Sequence, residues 1–148
     1  MIRELITIFE RDLQKLKLEI ESFQKEENLW KTTGRISNSA GNLALHLTGN
    51  LNHYIGSILG NTGYVRNRTA EFDSKNVQVA ELLEGLDKAS QTVSQTLRSL
   101  SERDLSKPYP EPVFGYEMTT SFMLIHLSTH LSYHLGQINY LRRVLEEK

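Results

Sequence analysis

The sequence predicts an all-α protein, one compact four-helix bundle, on three observations. Four segments repeat apolar residues at intervals of three and four, and no segment alternates apolar and polar residues convincingly as a strand would. The stretches between them carry the Gly, Pro and Asn that interrupt helices. At 148 residues the chain is long enough to bury a core, and without a linker, repeat or low-complexity tract it is expected to form a single domain, 1–148.

The first helix is expected over roughly residues 2–24. Ile2, Leu5, Phe9, Leu13, Leu16, Ile20 and Phe23 fall on one face, and Arg, Asp, Lys and Glu fill the other. The second is expected from about Ser39 to Leu59, with Ser37, Asn38 and Ser39 available as N-caps and Ala44, Leu47, Leu51, Tyr54 and Ile58 as its stripe. Gly41, Gly49 and Gly56 each weaken that helix by about 1 kcal/mol relative to Ala, so it needs tertiary support, and they permit close approach by a neighbour. The third, about Val77 to Leu100, carries Val79, Leu82, Leu86, Ala89, Val93, Leu97 and Leu100. The fourth, about Thr120 to Glu146, reads Leu124, Leu127, Leu131, His134, Ile138, Leu141 and Leu145, so a histidine holds one core slot. Between the third and fourth, Pro108, Pro110 and Pro112 bar a helix and leave room for a short extended or hairpin-like segment. The connections after the second and third helices are long for a simple up-down bundle, and at least one is a candidate crossover.

Composition narrows the function. Seventeen basic and eighteen acidic residues give a near-balanced charge, which argues against nucleic acid as a partner. The one basic cluster, Tyr64 to Arg68, reads first as a solvated loop. No apolar run approaches the ~20 residues of a membrane span, and the charged start "MIRELITIFERDLQK" is unlike a secretory signal, so a cytoplasmic protein is expected, with no membrane partner. The absence of cysteine excludes disulfides, a thiol nucleophile and thiolate-held metals; any thiol must arrive with another molecule.

The segment "LIHLSTHLSYHLGQI" places His126, His130 and His134 at every fourth position. Residues four apart on a helix differ by about 40° around the axis and about 6 Å along it, so one adjacent pair can meet one cation while all three cannot. A third ligand is available on the second helix, where His46 flanks the apolar stripe and His53 follows two turns later. Three nitrogens with open positions for a small-molecule substrate are the arrangement of a catalytic metal site, and neutral imidazole suits zinc, nickel, copper or iron better than magnesium or calcium. The plain alternative is that these imidazoles are packed or hydrogen-bonded residues.

"HLSTHLSYHLGQI", together with a histidine in "NSAGNLALHLTGNLNHYIG", resembles the DinB superfamily of metal-binding four-helix bundles (DinB/YfiT-like putative metalloenzymes), within a largely uncharacterised subgroup. The likeness extends over essentially the whole chain. It implies a DinB-like bundle running up-down-down-up, with the long crossover between helices two and three, and a homodimer. It also implies the metal ligands: His46 on helix two and the HxxxH pair His130 and His134, the latter followed by Gly136-Gln137. His126 is then an extra histidine, and His53 has no implied metal role. Some superfamily members are metal-assisted, thiol-dependent enzymes, bacillithiol transferases and a mycothiol-dependent isomerase among them.

The expected function is therefore a divalent-metal-dependent enzyme, with zinc or nickel ahead of iron. It would transfer a low-molecular-weight thiol to a small electrophile or hydrolyse a small substrate. Tyr133 and Asn50 are expected neighbours of the site, and Arg66 and Arg68 are candidates to clamp a substrate carboxylate. No Asp or Glu is placed clearly enough to nominate as a general base. The alternative is a non-catalytic metal-binding or structural dimeric bundle, with Ile6 and Ile55 available either to a partner surface or to a wider core.

Overall fold

The computed structural model describes residues 1–146. Four long helices, α1 (Ile2–Glu21), α2 (Ala40–Leu51), α4 (Val79–Ser99) and α6 (Thr120–Leu145), carry two short ones between them, α3 (Arg68–Asp73) and α5 (Glu102–Leu105). Among the described residues there is no strand, only an isolated antiparallel bridge between Pro108 and Thr119. Among the described residues no helix is long and apolar enough to cross a membrane.

Side-chain pairings fix the direction of each helix. Lys17 meets Asp87, and Glu10 meets Ser94 and Arg98, so α1 and α4 are antiparallel. Asp12 meets Ser132, and Glu19 meets Asn139 and Arg142, so α1 and α6 run parallel. Thr48 packs beside Gly85 and Gly56 beside Thr92, which makes α2 and α4 parallel. The order is up-down-down-up. Two consecutive long helices pointing the same way require the chain to travel back along the bundle between them, and the segment from Ile58 to Gln78 does so, with α3 on its path.

The apolar stripes meet inside. Phe9, Leu13, Leu16, Leu47, Leu86, Leu97 and Leu124 are at most 1% exposed. Each such side chain contributes about 1.5–3 kcal/mol relative to exposure. Ile6 and Ile55 belong to this core, so they widen the stripe and are not available to a partner.

Two local features differ from the sequence expectation, and a third follows it. The first helix ends at Glu21, where the Ser22 hydroxyl turns back to the Leu18 carbonyl. The second starts after the Ser39 cap, whose side chain accepts the Asn42 N–H, and its last part, Asn52–Ser57, widens into a π-helical turn. Pi turns shift the register of the residues beyond them. The proline-rich connection does turn back as a hairpin: Tyr109 N–H donates to Met118 O at 2.8 Å and Thr120 N–H to Lys107 O at 2.8 Å. The Tyr109 hydroxyl then donates to the Tyr54 carbonyl at 2.7 Å, tying the hairpin to the π turn.

Candidate metal centre

His46 on α2 faces His130 and His134 on α6. The Nε2 atoms of His46 and His130 are 3.3 Å apart, and those of His130 and His134 are 3.1 Å apart. One nitrogen from each ring lies within 4.8 Å of the others. Zinc–nitrogen bonds of about 2.05 Å in a tetrahedral arrangement would separate the nitrogens by about 3.3 Å. The donor set therefore fits a first-row divalent cation in chemistry, and two of its three separations match that spacing while the third lies within 4.8 Å.

The far side of two rings is already fixed. His46 Nδ1–H donates to Glu71 Oε1 at 3.1 Å, and His134 Nδ1–H donates to the Gln137 side-chain oxygen at 2.7 Å. A ring that donates from Nδ1 keeps its lone pair on Nε2, so both imidazoles present that pair to the centre. Arg66 grips the same carboxylate with two hydrogen bonds, Nε to Oε2 and Nη2 to Oε1, each 2.8 Å. Its Nη2 also comes within 3.3 Å of His46 Nδ1, but two donors facing one oxygen do not bond each other. Burial pushes the Glu71 carboxyl up, yet the hydrogen bonds from Arg66 and His46 outweigh it and hold the group below the usual carboxylate range.

His130 is the least supported ring. Its Nδ1 is buried without a hydrogen-bond partner. Burial, together with the neighbouring His134 and His46, pushes its pKa down to about 3, so the ring is neutral and able to donate a lone pair. Burial lowers His134 as well. Three imidazoles converging on one point, with two of them locked from behind, are preorganised for a cation.

The sequence pointed to the three rings but missed Glu71. That residue sits on α3, whose first turn is capped by the Asn67 side chain. It reaches His46 only because Gly49, one turn along α2, leaves its flank bare. A Cβ there would collide with the Glu71 carboxylate. A glycine inside a helix and an Asn-capped turn in the crossover were the available signals, and neither names a partner. Gln137 was visible only as part of a motif.

A cavity of about 400 Å³ opens beside the three rings. Asn50, Tyr54, Arg68, Phe72, Phe114 and His126 are among its walls. The Asn50 amide oxygen is buried with no partner. His126 packs edge-on against Phe114, with 4.7 Å between centroids, and lies a turn beyond the cluster as its spacing requires. His53 stands apart, packed on the Tyr54 ring. Tyr133 is 65% exposed, with its ring edge-on to His134 at 5.4 Å between centroids. The basic cluster divides: Arg66 is withdrawn from solvent by Glu71, against the solvated-loop reading, whereas Arg68 is exposed with its guanidinium over the Phe72 ring.

A family model described as "Protein of unknown function (DUF1572)" matches residues 2–148. No curated protein matches the sequence. Among solved structures, YfiT from Bacillus subtilis aligns with a TM-score of 0.79 at 18% identity, covering 99% of this chain and 89% of its own. That protein is described as "a probable metal-dependent hydrolase with an unusual four-helix bundle topology". At this identity the likeness shows the fold: a DinB-like four-helix bundle.

Proposed function

The chain belongs to the DUF1572 family, and from that premise we propose that it is a divalent-metal-dependent enzyme of the DinB superfamily acting on a small molecule. The observation that carries the reading is the convergence of three Nε2 atoms, with Glu71 and Gln137 holding two of the rings from behind. His46, His130 and His134 are the ligands, and zinc or nickel suits them ahead of iron. When bound, such an ion supplies Lewis acidity, polarising a substrate oxygen or lowering the pKa of a water or thiol.

The chain's own residues do the rest. Glu71 and Arg66 keep the His46 ring in its tautomer. Phe72, Val113, Phe114 and Leu127 give the cavity dry walls that strengthen electrostatic contacts within it. Asn50 and His126 offer polar groups to orient what enters. Hydrolysis is the first reaction to test, supported by the description of YfiT; thiol transfer to a small electrophile is the second, and with no cysteine in the chain it needs an added thiol. We further place the protein in the cytoplasm as a homodimer of single-domain chains, with no nucleic-acid partner.

Elemental analysis of untagged protein, beside the His46→Ala variant, tests the reading. Near-stoichiometric zinc, nickel or iron that disappears in the variant supports it and licenses a screen of esters and amides, with and without a small thiol. If the wild-type protein neither retains these metals nor binds added zinc or nickel, the imidazoles are packing residues and the non-catalytic bundle takes over. Light scattering of the same sample settles the dimer.

A further inference from the structure

We infer that the cavity beside the three imidazoles selects a small organic anion with an apolar or aromatic body, and that Arg68 holds the acidic end. The inference rests on the reading of that cavity as the substrate site of a metal centre, and it names the class of substrate.

The first ground is charge. Among the described residues, two arginines and four histidines line the cavity and no aspartate or glutamate does, although the chain contains 18 acidic residues. The nearest carboxylate, Glu71, lies behind His46 and is neutralised by the two hydrogen bonds of Arg66. Three neutral imidazoles cancel none of the charge of a divalent ion. The loaded site is thus an uncompensated cationic pocket, and low-dielectric walls strengthen its pull on an anion.

The second ground is Arg68 itself. Among the described residues it makes no ion pair and no side-chain hydrogen bond, in contrast to Arg66 two positions earlier. Its guanidinium lies 5.1 Å from the centre of the Phe72 ring. Stacking of this kind orients the guanidinium plane while leaving its N–H edge free for a bidentate contact with a carboxylate or phosphate.

The third ground is the remaining wall. Phe72, Val113, Phe114, Met123 and Leu127 give one side of the cavity an apolar surface suited to a hydrocarbon or ring. Asn50 lies one turn after His46, is 7% exposed, and has an amide oxygen without a partner. Buried polar groups are seldom left unpaired, so an amide here reads as a contact kept for a ligand. The volume, about 400 Å³, is at the small end of ligand pockets.

Isothermal titration with phenylacetate and its neutral isostere phenylacetamide tests this on zinc-loaded wild type, Arg68→Gln and Arg68→Lys. Phenylacetate is expected to bind wild type at least about tenfold more tightly than Arg68→Gln, the loss for one charged hydrogen-bond partner. Arg68→Lys, which keeps the charge but neither the stack on Phe72 nor the bidentate edge, should fall between the two, and phenylacetamide should not distinguish the three proteins. Zinc content should be equal in all three. Equal affinity of phenylacetate for wild type and Arg68→Gln overturns the proposal, as does no binding of phenylacetate at millimolar concentration. Failure of the metal reading shows separately, as wild type that takes up no zinc. The same titrations on metal-free protein then still decide the role of Arg68.

Discussion

The α1–α4 contact and the α2–α6 contact belong to one bundle but are built on different principles. Between α1 and α4, Leu5, Phe9, Leu13, Leu16 and Ile20 face Leu82, Leu86, Ala89, Val93 and Leu97, and ion pairs such as Lys17–Asp87 stay at the rim. Between α2 and α6 the interior turns polar, with His46, Asn50, Ser128, His130 and His134 where side chains of the core would be expected. An apolar face needs only area and fit. A polar face needs a partner for each group, and here His46 finds its own in the crossover, in Glu71 held by Arg66, while the Asn50 oxygen and His130 Nδ1 have none.

The contrast can be broken from either side. The largest effect in free energy is expected from Phe9→Ala, which opens a hole in the apolar half and should cost about 3–5 kcal/mol of folding stability by urea denaturation. Zinc affinity of the folded fraction should stay unchanged. His130→Ala should do the reverse: zinc binding by competition with a chelating dye is lost, while the metal-free protein keeps its melting temperature or gains, because a buried unpartnered nitrogen is removed. Glu71→Ala leaves the three ligands in place but frees the His46 ring, and zinc affinity should fall about 10–100-fold.

Acid should separate the two halves in the metal-free protein. The folded state holds His130 down at about 3 from an ordinary 6.5, so unfolding takes up a proton as pH drops below 6.5. The stabilisation is fully present above that value and is lost progressively toward the lower one. The urea midpoint should therefore fall between pH 6.5 and 4.5, before the carboxylates contribute, and His130→Ala should flatten that fall. The smallest effect belongs to Tyr133→Ala: a side chain 65% exposed on the outer face should change stability by no more than about 0.5 kcal/mol, with zinc binding intact. A large loss of zinc there would mean that the outer face of His134 is part of the centre.

Much of the apolar half was legible residue by residue. Leu5, Phe9, Leu13, Leu16 and Ile20 were read as one face of one helix, and all are buried. The polar half was legible only in part. His130 and His134 share a strip because they are four apart, whereas the meeting of His46 with them, across 84 residues, came from a family resemblance and not from spacing. Asn50 was named as a neighbour of the site and does line the cavity, but Tyr133 points away from it. Arg66 was read as solvated or as a substrate clamp; it is withdrawn from solvent and paired with Glu71, a partner that the sequence did not place beside it.

The sequence by itself determined four amphipathic helices, the apolar core they enclose and a strip of imidazoles on the last one. Those are consequences of the 3.6-residue period, which acts within a single segment. Only the tertiary structure decided that α3 brings Glu71 to the bare flank at Gly49, and that among the described residues Arg68 remains free while Arg66 does not. The Glu71 contact is a hydrogen bond between residues 25 positions apart, and no local period encodes it. It exists because parallel α2 and α4 force the chain to cross the bundle, and that crossing lays α3 against the flank of α2 that Gly49 leaves bare for a carboxylate.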